Sequence, residues 1–270
     1  MDSDLLRLAA VFPSIAVQLR SILSNLHLAS AQLAPPAERE ANSELDAKAA
    51  LLDQSYYQLL RLVNNLSATA WLHTEGPLPL CNRDVVHMIS ELCQEAESLA
   101  AEKGLRFYFR CDLSSHICAI HQEGMEQLLF QLLSNAFKFT PAGGHVSVEL
   151  QVTSGRVLLS VSDSGCGIEE SLLTSLFDRY LHPELMSPSP HGLGLGLPLC
   201  RRVAEGMNGR LLAESRVGKG SRFTLSIPDR LTDNTSVSDV PFDYTGGFNW
   251  ALLALADALP SSAFLQRNQE

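Results

Sequence analysis

Apolar or small residues recur at Leu5, Leu8, Phe12, Ile15, Leu19, Ile22, Leu26, Ala29 and Leu33, in steps that alternate three and four without a miss. That period marks the seam of a coiled coil or helical bundle and excludes a strand, whose side chains alternate every second residue. Pro35-Pro36 ends the helix, because proline donates no backbone hydrogen bond and clashes with the preceding turn. The polar stretch EREANSE (38–44) predicts a connecting loop. A second seam follows at Leu45, Ala49, Leu52, Tyr56, Leu59, Val63, Leu66 and Ala70. Two long helices joined by a short loop make an antiparallel hairpin. A lone hairpin cannot cover both of its apolar stripes. Pairing two hairpins into a four-helix bundle covers them, so the pattern predicts a homodimer. Docking of the hairpin on the rest of its own chain is the other solution.

A length of 270 residues leaves room for about one more domain. GPLPL (76–80) breaks the helical pattern, giving a hairpin domain over 1–75 and a second domain over 81–230. In the latter, Asp84 precedes the amphipathic stretch VVHMISELCQEAESLAAEKG, which ends at Gly104 in a C-cap position. MEQLLFQLLSNAFKF and LPLCRRVAEGMNG read as helices. LRFYFRC, HVSVELQV, RVLLSVSD, RLLAES and SRFTLSIP read as strands. Helices and antiparallel strands in separate runs predict an α+β fold, with one sheet carrying helices on one face. Residues 231–270 form a polar, turn-rich linker followed by FNWALLALADAL, where Phe248, Leu252, Leu255 and Leu259 fall at helical spacing. This helix is read as packing back onto its own domain rather than awaiting a partner.

Charge and cysteine content narrow the function classes. Twenty Lys+Arg against thirty Asp+Glu leave a net charge of −10, which argues against binding nucleic acid by phosphate neutralisation. No apolar run approaches the ~20 residues of a membrane span, and MDSDLLRLAA lacks a basic leader region. The six cysteines form no CxxC pair and read as reduced thiols of a cytoplasmic protein.

Three segments carry chemistry. Asn135 and Lys138 share a helical face, where an amide oxygen beside an ammonium group suits a magnesium–phosphate pair. The same spacing also occurs on solvated faces. Asp163-Ser164-Gly165-Cys166-Gly167-Ile168 sets a carboxylate at a strand end, before a backbone that a ligand can approach; an ordinary turn has the same composition. Gly192-Leu193-Gly194-Leu195-Gly196-Leu197 opens a helix, where freed amides and the positive end of the helix dipole suit phosphates. Upstream, RYLHPELMSPSPH (179–191) is long enough for a lid.

In this order and placement, the segments resemble the GHKL ATPase superfamily and, within it, the sensor histidine kinases of two-component signalling. QLLSNAFKFTPAGG is similar to the N box, DSGCGI to the G1 box, LFDRY to the F box and GLGLGL to the G2 box. GKGSRFTLSIP resembles the closing strand, and residues 1–75 resemble the dimerisation hairpin. The resemblance implies an α/β sandwich that binds ATP with Mg²⁺. Asp163 would accept from the adenine amino group, with Gly165 and Gly167 shaping that wall and Ser221 supplying a nearby hydroxyl. Asn135 would hold Mg²⁺, Lys138 a phosphate, Phe139 would flank the base and Phe177 would anchor the lid. Gly192, Gly194 and Gly196 would pass around the phosphates, and Ile168, Leu193 and Leu195 complete the implied set. The implied partners are a second copy and a response-regulator receiver domain.

Departures from the family are equally specific. Ala16-Val17-Gln18-Leu19-Arg20-Ser21-Ile22-Leu23 resembles the phosphoacceptor motif SHELRTPL, but Val17 stands in place of the histidine. The seam puts Val17 at a solvent-facing f position, and valine has no nucleophile to phosphorylate. His27 lies about 15 Å further along the helix and is read as a surface histidine without a role. Gln131 stands where ATP-hydrolysing relatives carry a catalytic Glu, and an amide is not basic, which disfavours a gyrase-like or chaperone-like ATPase. His121 takes a place where relatives often have Asp. Cys111, His116, Cys118 and His121 lack metal-ligand spacing. Two functions follow: a histidine-kinase-like protein transferring phosphate from Mg·ATP, or a dimeric pseudokinase whose nucleotide state controls a bound partner.

Overall fold

The computed structural model describes residues 3–72, 78–173, 176–177, 195–233 and 249–268, which fall into two compact units. One comprises 1–74 together with 245–270, the other 75–244.

In the first unit, α1 (Ser3–Leu33) and α3 (Ser43–Leu72) form an antiparallel hairpin. Arg20 on α1 donates to Asn64 (3.1 Å) and Ser67 (2.9 Å) on α3, and His27 stacks on Tyr56 with ring centroids 4.5 Å apart. His27 is thus half-buried rather than a surface residue, and burial lowers its pKa. The connection is not simply a loop, because Pro36–Ala41 form the short helix α2 with proline in its first turn. Asn42 then accepts from the amides of Glu44 and Leu45 and starts α3.

The stripe of α1 that meets α3 differs from the seam read in the sequence. Ala16, Leu23 and Ser30 are buried, each one position beyond a seam residue, whereas Ile22 and Leu26 are 57% and 59% exposed. On α3, Ala49, Tyr56 and Val63 are buried, while Leu52 and Leu59 are exposed. Val17 is 63% exposed, in line with an f position. The side chains of Leu5, Leu8, Phe12, Leu66 and Ala70 lie outside those described.

The C-terminal residues pack onto this hairpin. Asn249 caps α8 (Trp250–Leu255) by accepting from the Leu252 amide, and 3₁₀ turns follow at Ser261–Phe264 and Gln266–Asn268. The helix is shorter than the apolar spacing implied. Leu252, Leu253, Leu255, Leu259 and Phe264 are nonetheless buried, and Phe264 lies against Tyr57. Phe248 lies outside the described residues.

The second unit opens with β1 (Cys81–Asp84) and α4 (Val85–Glu102). Asp84 accepts from the Val86 and His87 amides. At the other end Gly104 takes φ +70°, and the Leu105 amide donates back to the Ala100 carbonyl. A five-stranded sheet follows in the order β2 (Arg106–Cys111), β4 (His145–Thr153), β5 (Arg156–Asp163), β7 (Gly220–Pro228), β6 (Arg210–Arg216). β2 and β4 are parallel; the other pairs are antiparallel, so the all-antiparallel expectation is corrected. A separate two-stranded sheet, β1 with β3 (Ile117–Ile120), was also not legible in the sequence. Val148, Leu159, Val161 and Leu225 are buried on the face that carries α4, α5 (Gln122–Phe139) and α7 (Gly196–Gly206), and the one-turn helix α6 (Glu170–Leu173) comes between β5 and α7 in the chain. Phe137 of α5 is fully buried edge-on to Phe107 of β2, a burial that contributes ~1.5–3 kcal/mol. The opposite face is polar, with an Arg222–Glu149 ion pair at 2.8 Å and a Ser160–Thr224 hydrogen bond.

Candidate functional site

Helix α5 buries Leu128, Leu129, Leu132, Leu133, Ala136 and Phe137, which turns Gln131, Asn135, Lys138 and Phe139 to the opposite side. His121 explains how this helix begins. Its Nδ1 accepts from the Gly124 amide at 3.0 Å, the role an Asp would have at an N-cap, and burial lowers its pKa and favours the neutral acceptor form. His116 instead bonds Asp229 at 2.8 Å, and among the described residues no group of His, Cys, Asp and Glu is arranged to hold a metal.

At the end of β5, Asp163 Oδ1 accepts from the Gly165 amide (2.8 Å) and the Ser221 amide (3.3 Å). Burial raises its pKa, and these two bonds pull it back. The carboxylate is therefore fixed in direction. The following loop is strapped to the β6–β7 hairpin. The Gly218 amide donates to the Cys166 carbonyl, and Ser215 Oγ accepts from the Ile168 amide while donating to the Gly220 carbonyl. Ser221 Oγ lies 3.1 Å from Ser215 Oγ. Ser215 carries no motif of its own and was missed in the sequence; only its register opposite Ser221 across β6–β7 reveals it.

Glycine is required at two points of this wall. A Cβ on Gly165 would come within 2.6 Å of the Phe139 carbonyl, so the loop can meet the end of α5 only without a side chain. Gly167 adopts φ +73°, and a Cβ there would run into the Arg216 carbonyl. At the other end of the same helical face, a Cβ on Gly196 would collide with the Gln131 side chain, so α7 starts directly against α5. The structure therefore brings Asp163–Ile168, Ser221, Asn135, Lys138, Phe139, Gln131 and Gly196 around one face of α5, spanning ~12 Å from Gln131 to Phe139. Leu195 is the residue before α7. Phe177 is half-buried in a turn, with nothing tying it to this face among the described residues. Gly192, Leu193, Gly194 and the stretch 179–191 lie outside those described.

The electrostatics suit a polyanion. Lys103, at the end of α4, has its pKa lowered, first by burial and then by the charge of Lys138. Two ammonium groups within electrostatic reach of each other favour an anion nearby. A metal ion would find one neutral oxygen there, that of Asn135, which matches magnesium that arrives on phosphates and keeps most of its own water. When bound, the ion would neutralise phosphate charge.

An α/β sandwich with a fixed carboxylate at one end of a helix face and a glycine-started helix at the other defines a nucleotide-binding module. Residues 120–231 match the family described as histidine kinase-, DNA gyrase B-, and HSP90-like ATPase. The adaptive-response sensory kinase SasA of Synechococcus sp. (strain JA-2-3B'a(2-13)) is 31% identical over 223 residues, covering 81% of this chain and 58% of the relative. The autoinducer 2 sensor kinase/phosphatase LuxQ of Vibrio vulnificus (strain YJ016) is 38% identical over 138 residues, covering 48% of this chain and 16% of that protein. The fold is similar to that of full-length ShkA in complex with AMPPNP (TM-score 0.58, 23% identity, 80% of this chain and 46% of that one). It is also similar to the nucleotide-free catalytic domain of the histidine kinase ThkA (TM-score 0.51, 23% identity, 57% and 97%). Residues 120–231 thus form a GHKL-type ATPase domain, and the chain is similar to sensor histidine kinases. It spans little more than half the length of the first of these relatives, and a smaller share of LuxQ. Among the described residues no helix is long and apolar enough to cross a membrane.

Proposed function

We propose that this chain binds Mg·ATP on the outer face of α5 and works as a histidine-kinase-type component of two-component signalling. The observation that carries this reading is the approach of Gly165 to the Phe139 carbonyl and of Gly196 to Gln131, on either side of Asn135 and Lys138 along α5. Asp163 accepts the adenine amino group, with Gly165, Gly167, Ile168 and Ser221 lining the base and Phe139 flanking it. Lys138 and the α7 start, with Gly196 and the Gly192 and Gly194 amides, take the phosphates, and Asn135 ligates Mg²⁺. Leu193 and Leu195 would complete that path, and Phe177 would anchor the lid. Gln131, an amide without basicity, orients and does not deprotonate.

The exposed apolar face made by Ile22, Leu26, Leu52 and Leu59 supports a homodimer through the hairpin. The similarity to sensor histidine kinases supports a receiver domain as the partner. A second reading, a pseudokinase that signals by its nucleotide state alone, is favoured by one observation: the exposed side chain at the phosphoacceptor position is Val17. Incubation with γ-labelled ATP separates the two. Acid-labile, alkali-stable label on the chain establishes phosphoryl transfer to a nitrogen. Its absence at saturating Mg·ATP, together with labelling of a Val17→His variant, establishes the pseudokinase.

A further inference from the structure

The five-stranded sheet carries helices on one face, and its other face has a charge opposite to that of the chain. The strand register puts Arg106 and Arg110 of β2, Arg156 of β5, Arg222 of β7, and Arg210 and Arg216 of β6 on that face. Among the described residues of the strands, only Glu149 and Glu214 oppose them there. In a chain of net charge −10 this is a local inversion of sign. Glu149 holds Arg222 and Ser226 holds Arg156, whereas Arg110, Arg210 and Arg216 are exposed and have no partner among the described residues.

The positive charge is arranged around a trough. Ser147, Ser160, Thr224 and Ser226 on the middle strands make a floor of short hydroxyl side chains. The arginines of β2 and β6 flank it, ~19 Å apart over four strand spacings, and extend ~13–20 Å along the strands. A helix ~10–12 Å across fits between them and leaves ~4 Å on each side for guanidinium–carboxylate pairs. The helical face of the same unit offers such a helix. α4 buries Ile89, Leu92, Ala96 and Leu99, and its outward arc sets Gln94 and Ser98 between Glu97 on one flank and Glu91, Glu95 and Glu102 on the other. Glu91 and Glu102 are ~16 Å apart along the axis, the length of the trough. The helix contains no lysine or arginine, and its one basic side chain, His87, lies 3.1 Å from Glu91. Burial and then the charges of Glu126 and Glu91 raise the pKa of Glu95, a repulsion that an added cation relieves.

We propose that this bare sheet face docks α4 of a second copy, its edge arginines pairing with the glutamates while Gln94 and Ser98 meet the hydroxyl floor. The two surfaces lie on opposite sides of one unit, so the contact is heterologous and repeats from copy to copy in head-to-tail rows. It is distinct from pairing through the hairpin, uses no residue of the nucleotide site and does not rest on that reading. Ion pairs at an exposed surface are weak and screened by salt, so the rows belong to low ionic strength and high protein concentration. Nucleic acid is the poorer occupant, because among the described residues only Tyr108 brings a Phe, Tyr or Trp ring to this face for bases to stack on.

The test is sedimentation velocity on the full chain. At about 0.05 M salt the parent is expected to form species larger than those it shows at about 0.5 M. Arg110→Glu with Arg210→Glu in one variant, and Glu91→Arg with Glu95→Arg in another, are each expected to abolish the larger species. An equimolar mixture of the two is expected to regain association, since the native sheet face of the second then meets the native α4 of the first. Neither pair of reversals overturns the net charge of −10, so overall attraction does not imitate this result. The four positions are exposed, and circular dichroism checks that both variants fold. A parent without salt-dependent association, undiminished association of either variant alone, or folded variants that stay apart when mixed would overturn the proposal. So would a parent that stays unassociated yet binds a single-stranded oligonucleotide through Arg110 and Arg210, which assigns the face to nucleic acid.

Discussion

Histidine 121 makes the stability of the ATP-binding unit depend on pH in a way that can be worked out from one hydrogen bond. Its Nδ1 accepts from the Gly124 amide and thereby starts the helix that carries Asn135 and Lys138. Only the neutral ring can accept. Its pKa in the folded state lies below 6.5, because burial outweighs the opposing charge of Glu123. Above 6.5 the ring is neutral in folded and unfolded chains, and the cap contributes its full ~1 kcal/mol. As the pH falls through 6.5 the unfolded chain protonates first and stability declines, until below the folded pKa the bond is lost. A cation then faces the positive end of the helix dipole, at a further cost of ~0.3–1 kcal/mol. For a unit of this size the total of ~1–2 kcal/mol lowers Tm by roughly 2–8 °C. Calorimetry at pH 7.5, 6.5 and 5.5 measures the Tm. His121→Asp caps through an anion over this whole range, so it should gain on the parent as the solution is acidified. His121→Ala should lie below the parent at pH 7.5, with the gap closing as the pH falls and reversing once the folded-state ring is protonated. Parallel Tm profiles for all three proteins would refute the reasoning, since the other histidines titrate identically in each.

Two further outcomes follow from the geometry. Gly167→Ala should weaken adenine nucleotide binding in a titration, because a Cβ at φ +73° meets the Arg216 carbonyl and displaces the wall beside Asp163. Gly155→Ala, at φ +71° with open space around it, should carry only the ~1–2 kcal/mol backbone cost and leave affinity unchanged. Ile22→Glu with Leu26→Glu should convert a dimer to a monomer in sedimentation velocity, and an unaltered sedimentation coefficient would remove the exposed hairpin face as the contact.

Much of this arrangement was legible in the sequence where local chemistry decides it. Asp84 and Gly104 bracket α4 as caps because their side-chain and backbone preferences act within one turn. The alternation in 145–153 and 156–163 gave both strands, since one face of each is buried and the other is not. The meeting of Gly165 with Phe139 was implied only by the family resemblance, as it depends on contacts far apart in the chain. What could not be read has physical causes as well. CNRD and ICAI are too short for alternation to register. The parallel pairing of β2 with β4 is a property of topology, not of either strand. The hairpin contact lies one position off the seam because Arg20 and His27, which periodicity counts as polar, make the cross-helix bonds. Arg39 and Arg61 were passed over for the same reason: charged residues are assigned to solvent unless a partner such as Asp53 or Asp257 is seen.

The nucleotide site stands or falls on Asp163. Calorimetric titration of a non-hydrolysable ATP analogue with Mg²⁺ should give saturable binding at one site per chain. Asp163→Asn should lose roughly 10- to 100-fold in affinity with its secondary structure unchanged, as a hydrogen bond to a charged acceptor is worth ~1.5–3 kcal/mol. Acidification should weaken binding to the parent at a pH above the ordinary carboxylate range, because burial raises the pKa of the accepting group. Equal binding by Asp163→Asn, Asp163→Ala and the parent, or none by the parent with Mg²⁺ present, would contradict the account.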